Sequence, residues 1–482
     1  MVFTDLTKVL AIIIFFSICL SLRFFYMLES DYGIYFSGSY YFFNNGLPFY
    51  EIIKDIKPPG YYLFLGLIGS FFNWSYFSAF LGYVCSILLF ISSSALVFLK
   101  INKNINHLII YLIITSSFMS FLSTNAAIAL FQCSFLNIAL FFHIRIFKRE
   151  SSAILNILLS YIFVGLSILS RVDSIVIIPI FLISTLFFYK DSYLNKIIKY
   201  FFVALIGFLI PFLILFLLKV SLSDFIFYNF ELAAYYKDNY LSKTEYLYKP
   251  KVIDAISGSA LLFLIPIIFY NAYLITKKNK SFSQSFGIAG LLFMFLVYLW
   301  IGTDRVYHLL IIFPFLSMVF ATALQSIENI NKGSRYTIMA TLLMVLLVFF
   351  QNLIPNLYAA YQKRNDIFNT PIEVTELGKF MSQNNIEYIV SGDIKPWFHV
   401  LKKDSNPNLS HFHNLYLFFD YDDSRVINDF NKLLRTEEKK FLIDIGLLDS
   451  SISTPIMNEI RVNTETVGKY KDYYIQVVLT KT

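Results

Sequence analysis

Residues 9–28 read VLAIIIFFSICLSLRFFYML, and residues 29–60 continue as ESDYGIYFSGSYYFFNNGLPFYEIIKDIKPPG. The first segment is long enough to cross a hydrocarbon core of ~30 Å, and no small-residue cleavage site follows it. We therefore predict a retained membrane helix. The second segment is a polar loop that gathers carboxylates and lysines beside that helix. Ionisable groups that are kept at a membrane usually have a functional role.

The composition of the whole chain is that of a multi-pass membrane protein. Of 482 residues, 57% are hydrophobic and 15% are charged, with 54 Phe and 34 Tyr. A soluble domain of this length does not need such an apolar excess. We predict an α-helical polytopic protein with about 11 transmembrane helices, at 9–28, 76–99, 107–123, 126–142, 153–170, 174–189, 200–218, 255–275, 286–301, 309–325 and 337–354.

Residues 60–73 are apolar but too few to cross a bilayer easily. We predict that they form an interfacial helix in the first outer loop. With the N-terminus inside, the inner segments hold 14 Lys and Arg in 55 residues, and the outer segments hold 9 in 82. This bias follows the positive-inside rule. It predicts that five features lie on the outer face: 29–60, the turn of Arg171 and Asp173, the 219–253 loop, the 302–308 turn and the chain after 355.

The C-terminal part has a different pattern. Apolar runs of strand length occur at 386–390, 415–419, 441–445 and 474–479. A helix is predicted over 373–384, with Thr370 as its N-cap and Pro371 in its first turn. We therefore divide the chain into a transmembrane catalytic domain, 1–355, and a small extracytoplasmic α/β domain, 356–482.

One candidate group of site residues is acidic. Asp31, with Glu29 two residues before it, lies where the first helix leaves the membrane. A carboxylate there is able to accept a proton from an acceptor hydroxyl, or to orient it. A solvated carboxylate at a helix end is the alternative.

A second candidate group is basic. Lys57, Arg171, Arg305 and His308 stand at helix ends on the predicted outer face, where ammonium and guanidinium groups can neutralise a lipid phosphate. Pro58-Pro59 restricts the backbone beside Lys57. The alternative is that each of these side chains is an interface anchor.

Several of these segments resemble one family. Asp31-Tyr-Gly-Ile-Tyr, then Asn45-Gly-Leu-Pro-Phe-Tyr, then Asp55-Ile-Lys-Pro-Pro-Gly resemble the first outer loop of GT-C glycosyltransferases. The nearest resemblance is to bacterial enzymes related to protein O-mannosyltransferases and to the transferase that adds aminoarabinose to lipid A. Ser170-Arg-Val-Asp and the segment 307–314 are similar to further family segments. The resemblance covers residues 1–355.

The resemblance implies an inverting transfer of a sugar from a polyprenyl-phosphate carrier to an acceptor hydroxyl. Asp31 matches the catalytic aspartate and Lys57 matches the lysine near the carrier phosphate. Membrane lipid and a glycan, lipid or protein acceptor are the expected partners, without nucleic acid. The expected location is the bacterial cytoplasmic membrane, with the C-terminal domain outside. The predicted substrate-binding residues are Glu29, Lys57, Arg171, Asp173, Arg305, Tyr307 and His308.

The chain departs from the family at the positions where relatives carry further acidic residues. Tyr32 and Ile56 stand where relatives often have Glu, and the fourth span has Asn125 and Gln132. We assign no metal ligand. A divalent metal is left open but is not indicated by the sequence.

Two other functions compete with this prediction. A transporter or flippase of a lipid-linked sugar would carry ionisable groups in mid-span, whereas the charges here gather at one face. An outer-face polysaccharide polymerase would use the same donor without the Asp31 and Lys57 loop. Five tyrosines in 219–253 are predicted either to form an interface belt or to sit on a lid over the acceptor: Tyr235, Tyr236, Tyr240, Tyr246 and Tyr248.

Overall fold

The structure of the protein is a computed structural model. The described residues are 3–26, 30–46, 48–53, 57–120, 122, 124–148, 152–188, 194–236, 282–301, 306–327, 347, 349–351, 353–363, 372–390, 440–449 and 454–479.

Up to residue 236, most of the described residues are helical. The helices are α1 (Phe3–Ser21), α2 (Arg23–Tyr26), α3 (Ser30–Asn45), α4 (Phe49–Ile52), α5 (Gly60–Phe71), α6 (Tyr76–Ile101), α7 (Ile105–Met119), α8 (Ala127–Phe147), α9 (Ala153–Ser170), α10 (Ile177–Phe188), α11 (Leu194–Leu209), α12 (Leu213–Leu217), α13 (Leu222–Ile226) and α14 (Leu232–Tyr236). Further helices are Phe282–Ile301, Phe313–Ile327, Ile372–Gln383, Ile445–Leu448 and Pro455–Asn463. Short 3-10 segments occupy Thr124–Ala126, Val172–Val176, Ile210–Phe212 and Val306–Ile312, and Phe227–Glu231 is a π-helix.

The described helices confirm the multi-pass architecture. Six are long and apolar enough to span a membrane: Leu6–Phe25, Tyr76–Ile101, Ala127–Phe147, Ala153–Ser170, Ile197–Leu217 and His308–Gln325. Each coincides with a predicted span, and the predicted spans at 107–123, 174–189 and 286–301 coincide with shorter apolar helices. The predicted span at 255–275 lies outside the described residues, as does most of 337–354.

The chain divides into two compact units. The first comprises Met1–Leu28, Tyr83–Ile214 and Tyr240–Arg364, and the second comprises Glu29–Gly82, Leu215–Asn239 and Asn365–Thr482. The boundary that we placed at residue 355 stays a prediction.

In the first unit, helices α8, α9 and α11 pack closely. Glycines make this possible, because a Cβ atom at Gly207 would lie 2.6 Å from the carbonyl oxygen of Leu158, and one at Gly165 would lie 2.8 Å from that of Phe208. Small residues at such crossings let helix backbones approach each other. The result is a tight crossing of α9 and α11.

In the second unit, much of the predicted polar loop is helical and buried. Helix α3 buries Tyr32, Tyr35, Phe36 and Tyr40, a spacing that places them on one helical face. The Tyr32 hydroxyl donates a 2.6 Å hydrogen bond to the carbonyl oxygen of Ala79. The apolar rings therefore override the polar character of the segment and pack it as a helix.

Helix α5 accounts for the short apolar run at 60–73. Its 12 residues extend about 18 Å at 1.5 Å per residue, well short of a ~30 Å hydrocarbon core. It begins directly after Pro59, whose φ of −72° suits the start of a helix. The segment is therefore too short for a straight crossing, as predicted.

The C-terminal part forms a mixed four-stranded sheet. Its strands are β1 (Ile386–Val390), β2 (Lys440–Asp444), β3 (Thr464–Tyr470) and β4 (Tyr473–Val478), in the order β1-β2-β4-β3. β1 and β2 are parallel, and the other two pairs are antiparallel.

Three of the predicted strands and the predicted helix at 373–384 are confirmed within about one residue. The predicted strand at 415–419 and the predicted cap at Thr370 and Pro371 lie outside the described residues. β3 was not predicted. It completes an α/β domain as an edge strand of the sheet.

Candidate functional site

Arg171 and Asp173 stand on a break between two helices of the first unit. Helix α9 ends at Ser170, Arg171 has extended backbone angles, and Val172–Val176 forms a 3-10 segment. The Arg171 N–H still donates to the carbonyl oxygen of Ser167 at 2.9 Å. The break therefore leaves the backbone anchored to α9 while the two charged side chains project from it.

The side chains of this break form a compact charged group with His308. Arg171 Nη2 lies 2.7 Å from Asp173 Oδ2 and 2.8 Å from His308 Nδ1. The Arg171 and Asp173 side chains are 11% and 18% exposed. A guanidinium only donates hydrogen bonds, so His308 accepts at Nδ1 and carries its proton on Nε2. The contact therefore makes His308 the acceptor that orients the Arg171 guanidinium.

A buried polar ring supports this group from behind. Gln132 of α8 donates from Nε2 to Asp173 Oδ1 and, at 2.6 Å, to Ser174 Oγ. Ser174 and Ser167 share a 2.6 Å hydrogen bond, and Ser167 donates to the Gln132 carbonyl oxygen at 3.1 Å. All three side chains are buried. Because each hydroxyl is satisfied, the ring fixes the position of the Asp173 carboxylate.

The sequence did not predict this role for Gln132. It was noted only as a residue at a position where relatives carry an acidic one. The available signal was the recurrence of polar residues, Gln132, Ser167 and Ser174, in otherwise apolar helices. That signal becomes specific only when the helix packing brings the three together.

Lys57 is held against an aromatic surface in the second unit. Its Nζ atom lies 5.1 Å from the ring centroid of Tyr35, which is only 1% exposed. The rings of Tyr61 and Tyr62 in α5 meet Tyr35 edge-on, with centroids 5.6 and 5.5 Å away. Pro58 is also buried. The ammonium group therefore lies over one ring of α3, and two rings of α5 hold that ring in place.

Other predicted site residues are described only in part. Asp31 lies in α3 and Tyr307 in the 3-10 segment Val306–Ile312, but both side chains lie outside the description. Glu29 and Arg305 lie outside the described residues altogether. The structure thus brings together Arg171, Asp173 and His308, and it places Lys57 in the second unit.

Part of the 219–253 segment packs on the 29–60 segment within the second unit. The ring of Tyr228 stacks on Tyr50 with centroids 4.5 Å apart and planes 12° apart. Asn229 donates from Nδ2 to the Tyr50 hydroxyl and to the Phe225 carbonyl oxygen. Both Tyr228 and Asn229 lie in the π-helix, a feature that is frequent at functional sites.

The tyrosines for which we predicted an interface belt or a lid lie outside the described side chains: Tyr235, Tyr236, Tyr240, Tyr246 and Tyr248. Both alternatives therefore stay predictions. The packed part of the segment uses Tyr228 and Asn229 instead, and neither was singled out from the sequence.

The described residues contain no evident metal centre. Among them, no three His, Cys, Asp or Glu side chains come close enough to hold an ion. Asp173 pairs with the Arg171 guanidinium and accepts a hydrogen bond from the Gln132 amide. The two serines of the polar ring are buried. These residues make a hydrogen-bonded ion pair with an imidazole at its edge.

Comparison with known proteins places the fold. No protein-family model and no curated protein sequence matches the chain. The structure of ArnT from Cupriavidus metallidurans bound to undecaprenyl phosphate is similar over 99% of this chain and 98% of that one, at 11% identity and a TM-score of 0.59. The apo form of ArnT matches over 94% and 95%, at 12% identity and a TM-score of 0.56.

A second kind of protein shares the architecture. The oligosaccharyltransferase AglB from Archaeoglobus fulgidus, in complex with an inhibitory peptide and a dolichol-phosphate, matches over all of this chain and 75% of its own. The identity is 13% and the TM-score is 0.55. Together with the described spans, these likenesses show that the chain is a multi-pass membrane protein with the fold of the GT-C glycosyltransferases.

Proposed function

We propose that this protein is a membrane glycosyltransferase that moves a sugar from a polyprenyl-phosphate carrier to an acceptor hydroxyl. The transfer takes place on the outer face of the bacterial cytoplasmic membrane and inverts the anomeric centre. The observation that carries the proposal is the Arg171 guanidinium, which an ion pair and an imidazole orient at a helix break. Two of its fold neighbours, ArnT and AglB, are known in complex with undecaprenyl phosphate and with a dolichol-phosphate, respectively.

Arg171 is suited to a phosphate by its chemistry. A guanidinium presents a planar set of donors that matches phosphate oxygens, and it stays charged at any physiological pH. Asp173 and His308 both contact the same nitrogen, Nη2, which fixes the plane of the group. In this role the guanidinium stabilises the negative charge that grows on the departing carrier phosphate.

Lys57 has a related role in the second unit. Its ammonium stands over the Tyr35 ring, and this contact places a positive charge beside the Lys-Pro-Pro element. We assign it to the carrier phosphate as well. This assignment follows the Lys-Pro-Pro element of the first outer loop.

The reaction needs a base as well as phosphate-binding cations. In the proposed step, the acceptor oxygen forms a bond to the anomeric carbon, and the bond from that carbon to the phosphate oxygen breaks. The electron pair leaves with the polyprenyl phosphate, and the acceptor proton passes to Asp31. Attack from the side opposite the phosphate accounts for inversion.

Transfer of radiolabelled sugar from polyprenyl-phosphate donors tests the proposal. Purified full-length protein in lipid vesicles would be assayed beside Asp31→Asn, Lys57→Ala and Arg171→Lys at equal abundance. Loss of one oriented donor from an oxyanion-type site typically costs ~10²–10³-fold in rate. We expect reductions of that order in Lys57→Ala and Arg171→Lys, and a larger one in Asp31→Asn.

Two comparisons sharpen this experiment. Lys103→Ala removes an exposed cation from the α6–α7 linker and should leave transfer unchanged. Equal transfer in all variants would overturn the site assignment. If no donor supports transfer, but a labelled carrier moves across the bilayer of vesicles that contain the protein, the flippase alternative replaces the proposal.

A further inference from the structure

The ends of α6 and α8 place three cations together in the first unit. Lys100 lies in the last turn of α6, Arg145 lies in the last turn of α8, and Lys148 follows α8 directly. We call these three residues the basic end. The segments 100–103 and 145–150 together hold five Lys or Arg and one Glu. The proposed transfer reaction uses none of these residues.

Aromatic rings stand between the cations of the basic end. Lys100 Nζ lies 5.7 Å from the ring centroid of Phe141. The guanidinium carbon of Arg145 lies 5.8 Å from the same ring and 5.8 Å from that of Phe142. Two cations therefore share one aromatic ring, and the amphipathic character of Lys and Arg lets their stems lie along it.

The third cation links the two helices. Lys148 Nζ donates a hydrogen bond to the main-chain carbonyl oxygen of Lys100, which lies at the negative end of α6. Attraction between a helix C-terminus and a cation explains one cation at each helix end. It does not explain a third charge in the same place.

Polar contacts hold the helices that carry the basic end. Asn137 of α8 donates to Ser94 and Ser93 of α6, at 2.9 and 3.2 Å. Asn102, just after α6, donates to the carbonyl oxygen of Ala321 at 3.2 Å. The spacing of the cations is therefore set by a braced helix pair rather than by the flexibility of their side chains. Such preorganisation lowers the entropic cost of binding an anion.

The position of the basic end limits what the anion can be. Both helices are long and apolar enough to span a membrane, so their ends lie at the level of lipid headgroups. The half-buried rings of Phe141 and Phe142 lie one to two turns before the end of α8. Clustered cations at such a boundary attract anionic headgroups.

We propose that the basic end is a binding site for the phosphate of an anionic phospholipid. The headgroup phosphate lies among Lys100, Arg145 and Lys148, and the start of its acyl chains lies against Phe141 and Phe142. Lys148 is exposed and the other two cations are half-buried, so a headgroup can reach all three from the membrane surface. This site is separate from the Arg171 and His308 group.

Native mass spectrometry of the detergent-purified full-length protein tests this site. Dioleoyl-phosphatidylglycerol would be titrated against the wild type and the double variant Lys100→Gln/Arg145→Gln. Dioleoyl-phosphatidylcholine, with a zwitterionic headgroup, is the lipid comparison. We expect phosphatidylglycerol to bind more tightly than phosphatidylcholine, and the double variant to lose at least about tenfold in that preference.

The matched control is Lys103→Gln, which removes a neighbouring exposed charge that is three residues from Lys100. It should keep the preference, and so should Arg145→Lys. If Arg145→Gln does not fold, Lys100→Gln compared with Lys103→Gln decides the matter. Equal binding of the two lipids, or an equal loss in Lys103→Gln, would overturn the site. A third outcome would also overturn the site. In it, the variants weaken the binding of inorganic phosphate but do not change the binding of phosphatidylglycerol.

Discussion

Arg171 Nη2 donates a 2.8 Å hydrogen bond to Nδ1 of His308, although 137 residues separate the two in the chain. The same nitrogen forms the ion pair with Asp173. Because the guanidinium is always charged, a proton on Nδ1 would replace this hydrogen bond with a contact between two positive groups. The hydrogen bond therefore needs Nδ1 as its acceptor, and together with the ion pair it fixes the plane of the guanidinium.

The first prediction tests whether His308 acts as the hydrogen-bond acceptor of Arg171. His308→Gln retains a side-chain oxygen that can accept from Arg171, whereas His308→Ala does not. A hydrogen bond to a charged group contributes ~1.5–3 kcal/mol. In the transfer assay we expect the KM for the carrier-linked donor to rise about tenfold in His308→Ala and to change little in His308→Gln. Equal defects in both variants would contradict the acceptor role.

Gln132 gives a prediction about stability. Gln132→Leu has a similar volume but removes the donor to Asp173 and Ser174, which leaves buried acceptors unsatisfied. Such a loss costs about 1–3 kcal/mol. We expect a lower midpoint of thermal unfolding, measured by the loss of the monodisperse peak in size-exclusion chromatography after heating.

The control for Gln132→Leu is Ser160→Ala, which removes a hydroxyl that donates one hydrogen bond. The Ser160 hydroxyl donates to the carbonyl oxygen of Ala139 at 3.0 Å, also between α9 and α8. This carbonyl belongs to a helix interior and keeps its own backbone partner, so the expected change is small. An equal drop in both variants would mean that the polar ring around Asp173 has no special importance.

Strong local patterns explain which elements could be predicted from the sequence. β1, β2 and β4 each contain several consecutive β-branched, aromatic or aliphatic residues, and Ile372–Gln383 has helical periodicity. β3, Thr464–Tyr470, has few apolar residues. It is a strand because it pairs with β4 across a tight turn, where Lys471 has φ +51°. The hydrogen bonds to β4 make it a strand, although its own residues do not predict one.

The candidate site shows the same limit. The helix breaks that carry Arg171 and His308 are visible in the sequence, because polar residues interrupt long apolar runs. The buried ring of Gln132, Ser167 and Ser174 is not visible, since it depends on helix packing. Helix α3 was likewise not predicted, because residues 29–60 contain many polar side chains. The rings of Tyr and Phe in this segment are nevertheless buried.

The crossing of α9 and α11 predicts that a Gly→Ala substitution there lowers stability, although in most helices it raises stability. Gly→Ala in a helix interior normally stabilises the helix by up to about 1 kcal/mol. At Gly207 the new Cβ would lie 2.6 Å from the carbonyl oxygen of Leu158, which is backbone and has little freedom to move. We expect Gly207→Ala to be destabilising, by about 1–3 kcal/mol.

Gly287→Ala is the matched comparison for Gly207→Ala. There the nearest atom is the flexible Met318 side chain, at 3.3 Å. This substitution should be neutral or stabilising in the same thermal assay. A destabilisation as large as that of Gly207→Ala would contradict the backbone clash.

The ion pair of Lys471 and Glu376 should contribute little to stability. Lys471 Nζ lies 3.1 Å from Glu376 Oε2, and the side chains are 50% and 56% exposed. The hydrogen bond from Lys471 to Glu376 raises the pKa of the lysine. Its contribution is therefore fully present at neutral pH and is lost only as the pH rises through the raised pKa. Glu376→Gln should leave the unfolding midpoint at neutral pH unchanged, and a clear decrease would contradict this.

The last prediction concerns how Lys57 is positioned. Its Nζ stands 5.1 Å from the centroid of the buried Tyr35 ring, and a desolvated cation–π contact contributes ~0.5–2 kcal/mol. Tyr35→Phe keeps the ring face, and Tyr35→Leu removes it. We expect kcat for sugar transfer to stay within about twofold in Tyr35→Phe and to fall about tenfold in Tyr35→Leu. Because Leu also leaves a cavity, each variant would be assayed below its measured unfolding midpoint. A defect in Tyr35→Phe as large as that in Tyr35→Leu would assign the effect to the hydroxyl instead of the ring.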